Sequence, residues 1–366
     1  AVSAYWITAS CCRRSSEPHL LLLMPTEQAA VGAAPAAAAS AADGSAAWPR
    51  PEQPPTVSRD AATALEAWCG SLACGGSCLA AARAVRCGPG AALLHWPALE
   101  RAALLPAGVA LSVDGVRTSY GSVARCVGRL GSALRREHGL GSERCGALLV
   151  ERSAEMVVAV LAVLHAGGAY VPMGVDYPAA RIESVLRDSG AGVVLSGSAL
   201  SGSVGGGVAT VLLDSACEAS GGGECASAGV ERAACGEWCV CYVLFTSGST
   251  GQPKGVVLEH RAVSAQLRWQ RGRFGLDGGD VVVQKTPYTF DVSVWELLLP
   301  LWCGSALAVA RPGGQADMQY LWELIRETSS TAVHFVPTVL VMLSIFLESQ
   351  EAHRLSYRCI TEVDWR

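Results

Sequence analysis

The sequence predicts an α/β fold in which parallel β-sheets are flanked by helices. From His95 onward, short apolar runs alternate with longer helix-like segments. One of these runs, residues 238–245, is apolar throughout, as expected of a strand that is buried on both faces of a sheet. Strands that alternate with helices form parallel sheets, because each helix returns the chain to the same end of the sheet.

The first half of this region has clear start and stop signals. Ser153 can cap a helix that is apolar on nearly every side, which predicts that the helix is buried. Gly167 and Gly168 then end it. The predicted elements are a helix over 121–136 introduced by residues 117–120, a strand over 145–150, a helix over 155–164 and an extended segment over 169–172.

The second half continues the alternation. Proline favours the first turn of a helix, which predicts that one helix opens at Pro178 and another at Pro337. Residues 197–230 are rich in Gly and Ser and are predicted to be a variable surface loop. The other predicted elements are strands over 192–195 and 238–245, a strand from Thr331 that ends at Pro337, a second apolar strand after Gly255, and helices that run to Asp188 and start near Asp291.

Residues 1–90 are predicted to be a low-complexity or disordered segment outside the α/β domain, which we assign to residues 91–366. Alanine dominates residues 29–47 and proline residues 49–55, with little periodicity. The chain starts with alanine and contains no asparagine. We interpret this segment as a linker, a degenerate remnant or mistranslated sequence, as in a fragment or gene model from a GC-rich genome.

Composition and charge favour a cytosolic enzyme. The formal net charge is −4 with scattered basic residues, so the chain shows no electrostatic footprint for nucleic acid. Fifteen cysteines in so long a chain fit reduced, buried thiols better than a disulfide scaffold. Cys69, Cys74, Cys78 and Cys87 lack paired C-x2-C spacing, so no metal site is predicted. No apolar run is long enough to span a bilayer, and no signal peptide is evident.

A loop rich in hydroxyls and glycines follows the strand over 238–245. It carries Lys254, one of only two lysines in the chain, and reads Thr246-Ser247-Gly248-Ser249-Thr250-Gly251-Gln252-Pro253-Lys254-Gly255. Glycines let the backbone approach a ligand closely, and N–H groups, hydroxyls and an ammonium supply donors for polyphosphate. An ordinary surface turn has a similar composition. Walker A geometry is excluded, because Lys254 precedes Gly255 and a strand instead of Ser or Thr and a helix.

The order of these residues resembles the phosphate-binding signature of the adenylate-forming (AMP-binding) superfamily, which includes acyl-CoA synthetases, luciferases and the adenylation domains of nonribosomal peptide synthetases. The resemblance implies the front part of the large N-terminal domain of such an enzyme, with the C-terminal subdomain absent. It also implies ATP and Mg²⁺ as cofactors and makes Lys254 and Thr250 catalytic. The implied phosphate-binding residues are Thr246, Ser247, Gly248, Ser249, Thr250, Gly251 and Lys254.

A second resemblance narrows the family. Residues 164–173 are similar to the Ala-Gly-x-Ala-Tyr-Val-Pro element of the amino-acid-activating members. Most members continue with Ile or Leu and then Asp, whereas this chain has Met173 and Gly174. We expect this junction between a helix and a strand to carry no chemistry of its own.

Asp291, Val292 and Trp295 are candidate substrate-binding residues. If a helix starts near Asp291, then Asp291 and Trp295 share one helix face, with Val292 beside them. A carboxylate can bind a substrate ammonium, and an indole can shape the pocket. Taken alone, Asp291 could equally be a helix cap and Trp295 a core residue. The run from Phe290 to Glu296 resembles the substrate-binding element of nonribosomal peptide synthetase adenylation domains, which implies that Asp291 anchors the α-amino group.

His334 is the fourth candidate. It is predicted to lie near the carboxyl end of a strand, where open α/β sheets bind their ligands, although a lone histidine in an apolar strand is commonly a core residue. By resemblance it matches a position that reads the substrate side chain. Asp291, Val292, Trp295 and His334 together are similar to the opening of specificity codes for serine, and a neutral imidazole could hydrogen-bond a small hydroxyl.

The resemblance implies ATP-dependent activation of an amino acid, with serine as the candidate, as an aminoacyl-adenylate and its transfer to the phosphopantetheine thiol of a peptidyl carrier protein. It covers about residues 95–357. The family's adenine, ribose and C-terminal lysine elements are not found, and residues 358–366 depart from the expected pattern. The alternatives are a truncated non-catalytic fragment or pseudoenzyme and an acyl-CoA ligase, against which Asp291 argues.

Overall fold

The computed structural model describes residues 7–12, 19–23, 93–203, 207–213, 235–246 and 253–349. All of them belong to one compact unit, formed by residues 1–29 and 91–366. Its helices are α1 (Trp96–Leu104), α2 (Tyr120–His138), α3 (Ala154–Ala166), α4 (Ala179–Ser189), α5 (His260–Phe274), α6 (Val292–Cys303), α7 (Met318–Glu327) and α8 (Pro337–Ser349). Its strands are β1 (Ile7–Cys12), β2 (His19–Leu23), β3 (Val109–Val113), β4 (Val116–Ser119), β5 (Cys145–Leu149), β6 (Ala169–Pro172), β7 (Val193–Ser196), β8 (Ala209–Leu212), β9 (Val240–Thr246), β10 (Lys254–Glu259), β11 (Val281–Gln284), β12 (Ala306–Val309) and β13 (Ala332–Phe335).

Two sheets organise this unit. One has seven strands in the order β2-β1-β13-β11-β12-β3-β4, and the other has six in the order β10-β9-β6-β5-β7-β8. The central strands of both sheets are parallel, whereas β1, β4 and β10 pair antiparallel with β13, β3 and β9. The predicted α/β class with parallel sheets and flanking helices is therefore confirmed.

Helix α3 is the centre of the main hydrophobic core. Its residues from Met156 to Ala166 are all buried, as its apolar sequence predicts. The Ser153 hydroxyl accepts a hydrogen bond from the Met156 N–H at 3.2 Å, and Gly167 ends the helix with φ of 90°, a conformation that favours glycine. Both of the predicted helix boundary signals are thus used.

The edges of the sheets differ from the sequence prediction. Within the region predicted to be low-complexity, residues 7–12 and 19–23 form β1 and β2, and the rest of residues 1–90 lies outside the described part of the chain. Residues 209–212 of the predicted surface loop form β8 along the edge of the six-stranded sheet. The second apolar strand after Gly255 starts at Lys254 and is largely exposed. Strands β2, β8 and β10 lie at the edges of their sheets, and β1 lies between β2 and β13.

Six cysteines of the described ranges are free thiols: Cys126, Cys145, Cys235, Cys239, Cys241 and Cys303. Of these, Cys145, Cys241 and Cys303 are buried. This agrees with the predicted use of cysteine in the core. Cys69, Cys74, Cys78 and Cys87 lie outside the described residues. Within the described ranges, no group of three metal-ligating side chains could hold an ion. None of the helices described there is both long and apolar enough to cross a membrane.

Candidate functional site

The predicted phosphate loop leaves the carboxyl end of β9, a strand buried along most of its length. Thr246, its last residue, is paired with Lys254, the first residue of β10, and the Thr246 hydroxyl donates to the Lys254 carbonyl at 3.5 Å. Both residues are exposed. Residues 247–252, including Ser247, Gly248, Ser249, Thr250 and Gly251, lie outside the described residues. The strand pair thus brings the two ends of the predicted phosphate loop together.

Asp291 lies at the start of α6, as predicted. It is the N-cap of the helix, and its carboxylate accepts a hydrogen bond from the Val292 N–H at 2.9 Å. Asp291 is exposed, whereas Val292 is buried. Burial raises the pKa of the Tyr242 phenol in β9, and the Asp291 carboxylate raises it further. The charge of the candidate amino-group anchor therefore acts on the strand that leads into the phosphate loop.

Trp295 and His334 form a buried hydrogen-bonded pair between α6 and β13. The indole Nε1–H donates to His334 Nδ1 at 3.1 Å, and the two ring centroids lie 5.8 Å apart. Both residues are at most 2% exposed. Because an indole nitrogen can only donate, Nδ1 is the acceptor and the neutral imidazole carries its proton on Nε2. The predicted pocket residues of two distant segments are thus in direct contact.

The neutral form of His334 is strongly favoured. Burial lowers the pKa of this imidazole to about 3, and the nearby positive charge of Lys285 contributes to the shift. The Lys285 ammonium lies over the Phe335 ring, 4.8 Å from its centroid. Burial lowers the pKa of Lys285 as well, although Glu296 opposes that shift. His334 is therefore an uncharged N–H donor at neutral pH.

Glu296 anchors the loop that precedes α6. Its fully buried carboxylate accepts hydrogen bonds from the backbone N–H groups of Lys285 and Thr286 at 3.2 and 3.0 Å, and from the Thr286 hydroxyl at 2.7 Å. Burial raises the pKa of Glu296, and the Lys285 charge and these hydrogen bonds act in the opposite direction. The carboxylate thus fixes the end of β11 relative to the helix that presents Asp291 and Trp295.

Sequence reasoning did not assign Lys285 or Glu296 to the site. The signal for Lys285 was its rarity, because it is one of two lysines in the chain and directly follows an apolar strand. Glu296 lies one residue after Trp295 in a helix that is buried along its length, where a charged residue is unusual. Both side chains support the candidate pocket from inside the core.

A separate cleft of about 370 Å³ lies on another part of the molecule, between the β3–β4 hairpin and α7. Its mixed lining includes the polar side chains of Asp114, Arg117, Tyr320 and Glu323. None of the sequence-predicted site residues lines it. We place the candidate site at the strand ends because Trp295 and His334 are in contact near the end of β13 and Thr246 lies at the end of β9, and open α/β sheets bind their ligands at such ends.

The chain matches the family described as AMP-binding enzyme over residues 99–361. It is 38% identical over 250 residues to tyrocidine synthase 3 of Brevibacillus parabrevis, covering 68% of this chain and 4% of that protein. It is 42% identical over 246 residues to phosphinothricin tripeptide synthetase PhsB of Streptomyces viridochromogenes, covering 66% of this chain and 20% of that protein. The chain thus spans a small part of the length of these relatives.

A solved structure shows the same architecture. The nonribosomal peptide synthetase FmoA3, in its form bound to alpha-methyl-L-serine-AMP, is 30% identical and superimposes with a TM-score of 0.62. The similarity covers 70% of this chain and 28% of that one.

Proposed function

This chain belongs to the AMP-binding enzyme family, as the N-terminal part of a nonribosomal peptide synthetase adenylation domain, and we propose from that premise that it activates an amino acid with ATP. The product is an aminoacyl-adenylate. The observation that carries this proposal is the buried Trp295–His334 pair beside Asp291, which places three of the four candidate pocket residues around the start of α6 and the end of β13.

Asp291 binds the substrate ammonium in this proposal. Its carboxylate has oxygen lone pairs beyond the one that accepts from the Val292 N–H, so the cap and the ammonium can be bound together. An ammonium-to-carboxylate contact is a charge-assisted hydrogen bond, about twice as strong as a neutral one. A substrate without an amino group leaves this carboxylate without its cationic partner, which separates amino acids from plain acids.

The other end of the site binds ATP. Thr246 and Lys254 supply a hydroxyl and an ammonium at the two ends of the phosphate loop, and both are exposed, a donor set that fits a polyphosphate. The substrate carboxylate oxygen forms a bond to the α-phosphorus while the bond from that phosphorus to pyrophosphate breaks. The Lys254 ammonium stabilises the charge that develops on the leaving pyrophosphate, together with Thr250 of the loop. Mg²⁺ bound with ATP would neutralise further phosphate charge.

Serine is the proposed substrate. The Trp295 indole fixes the His334 proton on Nε2, so the imidazole offers an N–H to an oxygen on the substrate side chain. A site that hydrogen-bonds a hydroxyl rejects an analogue without it, because a buried polar group then loses its partner. The serine derivative named in the FmoA3 structure is compatible with this reading.

The further steps follow the family resemblance. We propose that the activated acyl group passes to the phosphopantetheine thiol of a peptidyl carrier protein and that the reaction takes place in the cytoplasm. Free cysteines in the described core are consistent with a reducing compartment.

Serine-dependent ATP–pyrophosphate exchange tests this function in the natural protein that contains the chain. Lys254→Ala should depress the exchange. Asp291→Ala should lower kcat/KM for serine about a hundredfold, because it removes the partner of the substrate charge. Asp317→Ala is the matched control, since Asp317 also caps a helix, through the Tyr320 N–H, but lies outside the site.

Two results would contradict the proposal. If Asp291→Ala retained the affinity of the parent for serine, Asp291 would not be the anchor. If the parent activated 3-hydroxypropionate, which lacks the amino group, at the same rate as serine, the acyl-CoA ligase alternative would be favoured.

The side-chain specificity has its own test. Alanine should be a much poorer substrate than serine, and His334→Leu should remove that difference.

A further inference from the structure

Tyr288 connects the loop before α6 to the other sheet. The loop follows β11 of the seven-stranded sheet, yet the Tyr288 hydroxyl lies at the carboxyl ends of β5 and β6 in the six-stranded sheet. It donates to the carbonyl of Leu148 at 2.8 Å or of Met173 at 2.9 Å and accepts from the Val150 N–H at 3.2 Å. Tyr288 is 7% exposed. One buried hydroxyl therefore bonds to two strand ends at once.

The loop transmits this position to Asp291. The Phe290 N–H donates to the Pro287 carbonyl at 3.0 Å, and the Phe290 carbonyl accepts from both the N–H and the hydroxyl of Ser293. These bonds form a compact turn between Tyr288 and the first residues of α6. A shift of the Tyr288 ring would therefore move the start of the helix that carries the proposed amino-group anchor.

The sheet at the other end of this connection carries the phosphate loop. Strand β6 lies between β5 and β9, and β9 ends at Thr246. Tyr288 thus bonds to the strand next to the one from which the phosphate loop emerges. Amino acid and ATP are bound on different sheets in the proposed reaction, and their reacting atoms must lie about 3–3.5 Å apart in an aligned geometry.

We propose that Tyr288 is a positioning residue that sets the distance between the amino-acid pocket and the phosphate loop through its buried hydroxyl. This inference rests on the proposed function. Tyr288 touches neither substrate in this role. It acts through the Asp291 turn on one side and through the ends of β5 and β6 on the other.

The test compares Tyr288→Phe with Tyr120→Phe in the natural protein that contains this chain. Tyr120 is a matched control because its buried hydroxyl donates to the Ser305 carbonyl at 2.7 Å, outside the site. We expect Tyr288→Phe to lower kcat of serine-dependent ATP–pyrophosphate exchange about tenfold or more, since small misplacements of reacting groups are costly. KM values for serine and ATP should change less than about threefold, because each pocket remains intact.

Tyr120→Phe should leave kcat within about twofold of the parent, and an equal loss in both variants would show that Tyr288 is merely structural. An unchanged kcat in Tyr288→Phe would overturn the proposal. A parent that supports no exchange with any amino acid would refute the proposed function itself, and the role of Tyr288 with it.

A second variant covers the case in which Tyr288→Phe melts below the assay temperature. Replacing Tyr288 with 4-aminophenylalanine keeps a donor for the two carbonyls but weakens the acceptor for Val150. This variant should retain most of the kcat of the parent, whereas Tyr288→Phe should not. Both variants are assayed at a lower temperature at which they are folded, and a 4-aminophenylalanine variant with a kcat no higher than that of Tyr288→Phe would overturn the proposal.

Discussion

Acidification should destabilise this fold because several histidines are buried in their neutral form. His95, His165 and His260 form a cluster in the core, with the His95 ring 5.6 Å from His165 and 6.4 Å from His260. Burial lowers the pKa of all three, to about 4 for His260, and His165 and His260 lower that of His95 further. His334 adds a fourth neutral imidazole, with a pKa of about 3.

The sign follows from where protons bind. An unfolded histidine has a pKa of about 6.5, so below that pH the unfolded chain binds protons that the folded chain does not. The stability contribution of His260 is therefore complete above pH 6.5 and is lost as the pH falls from about 6.5 to its folded pKa of about 4. Glu296 acts in the opposite direction, because burial raises its pKa.

The magnitude for one histidine is about 1.4 kcal/mol per pH unit, so His260 alone should cost about 2 kcal/mol between pH 6.5 and pH 5. Urea unfolding of the 366-residue chain at several pH values measures this. The variant His260→Asn isolates the group, since an amide oxygen can replace Nδ1 as acceptor for the Leu94 N–H. Its slope of stability against pH should be smaller by about 1.4 kcal/mol per unit than that of the parent.

The control is Tyr120→Phe, which removes a buried hydrogen bond but no histidine. It should lower stability at every pH and leave the slope between pH 5 and pH 6.5 unchanged. If His260→Asn kept the slope of the parent, the buried imidazole would not be the source of the acid sensitivity and the reasoning would be refuted.

Two further predictions concern packing and the loop anchor. A methyl group at Gly131 would lie 2.9 Å from the Ala162 carbonyl oxygen, so Gly131→Ala should destabilise the α2–α3 contact by about 1–3 kcal/mol. Gly128 in the same helix has open space, and Gly128→Ala should stabilise by about 0.5–1 kcal/mol; thermal melting of both variants checks the contrast. Glu296→Gln should lower stability by about 1–3 kcal/mol, because an amide nitrogen cannot accept from Thr286. Equal melting temperatures of Glu296→Gln and the parent would contradict the anchor.

Buried parallel strands were the most predictable part of the fold. Their apolar runs place β5, β6 and β9 within a residue or two of the observed bounds, because both faces of each strand must be apolar. The β3–β4 hairpin was not predicted, although Asp114-Gly115 was an available signal. These residues have φ of 46° and 80°, which is the geometry that Asp-Gly favours in two-residue hairpin turns.

The antiparallel pairing of β10 follows from chain length. Only residues 247–253 separate β9 from β10, and a parallel partner needs a crossover of about a dozen residues or more. The short strands β1, β2 and β8 could not be predicted in this way. Strand β1 pairs with the distant β13, a contact for which the sequence carries no local signal, whereas β2 and β8 pair with β1 and β7, the strands that precede them in the chain.

The candidate site was predictable as a set of residues but not as a set of contacts. Residues 291–295 and His334 were identified by resemblance, whereas the hydrogen bond between Trp295 and His334 joins positions 39 residues apart. This hydrogen bond determines the chemistry of His334 more than the residue type does, because it fixes the tautomer of the imidazole. Sequence alone left His334 able to donate or to accept. Lys285 and Glu296 were missed because charged side chains are normally expected at the surface.

Asp291 shows why a residue can satisfy a structural and a functional reading together. As a helix cap it is bonded to the Val292 N–H, and this bond holds the carboxylate at the start of α6 instead of leaving it to rotate. The same position brings it close enough to β9 to affect the Tyr242 phenol. A preorganised carboxylate loses less conformational entropy when it binds a cation. The cap therefore strengthens the proposed amino-group anchor. The two roles that the sequence suggests for Asp291, helix cap and ammonium anchor, are physically compatible.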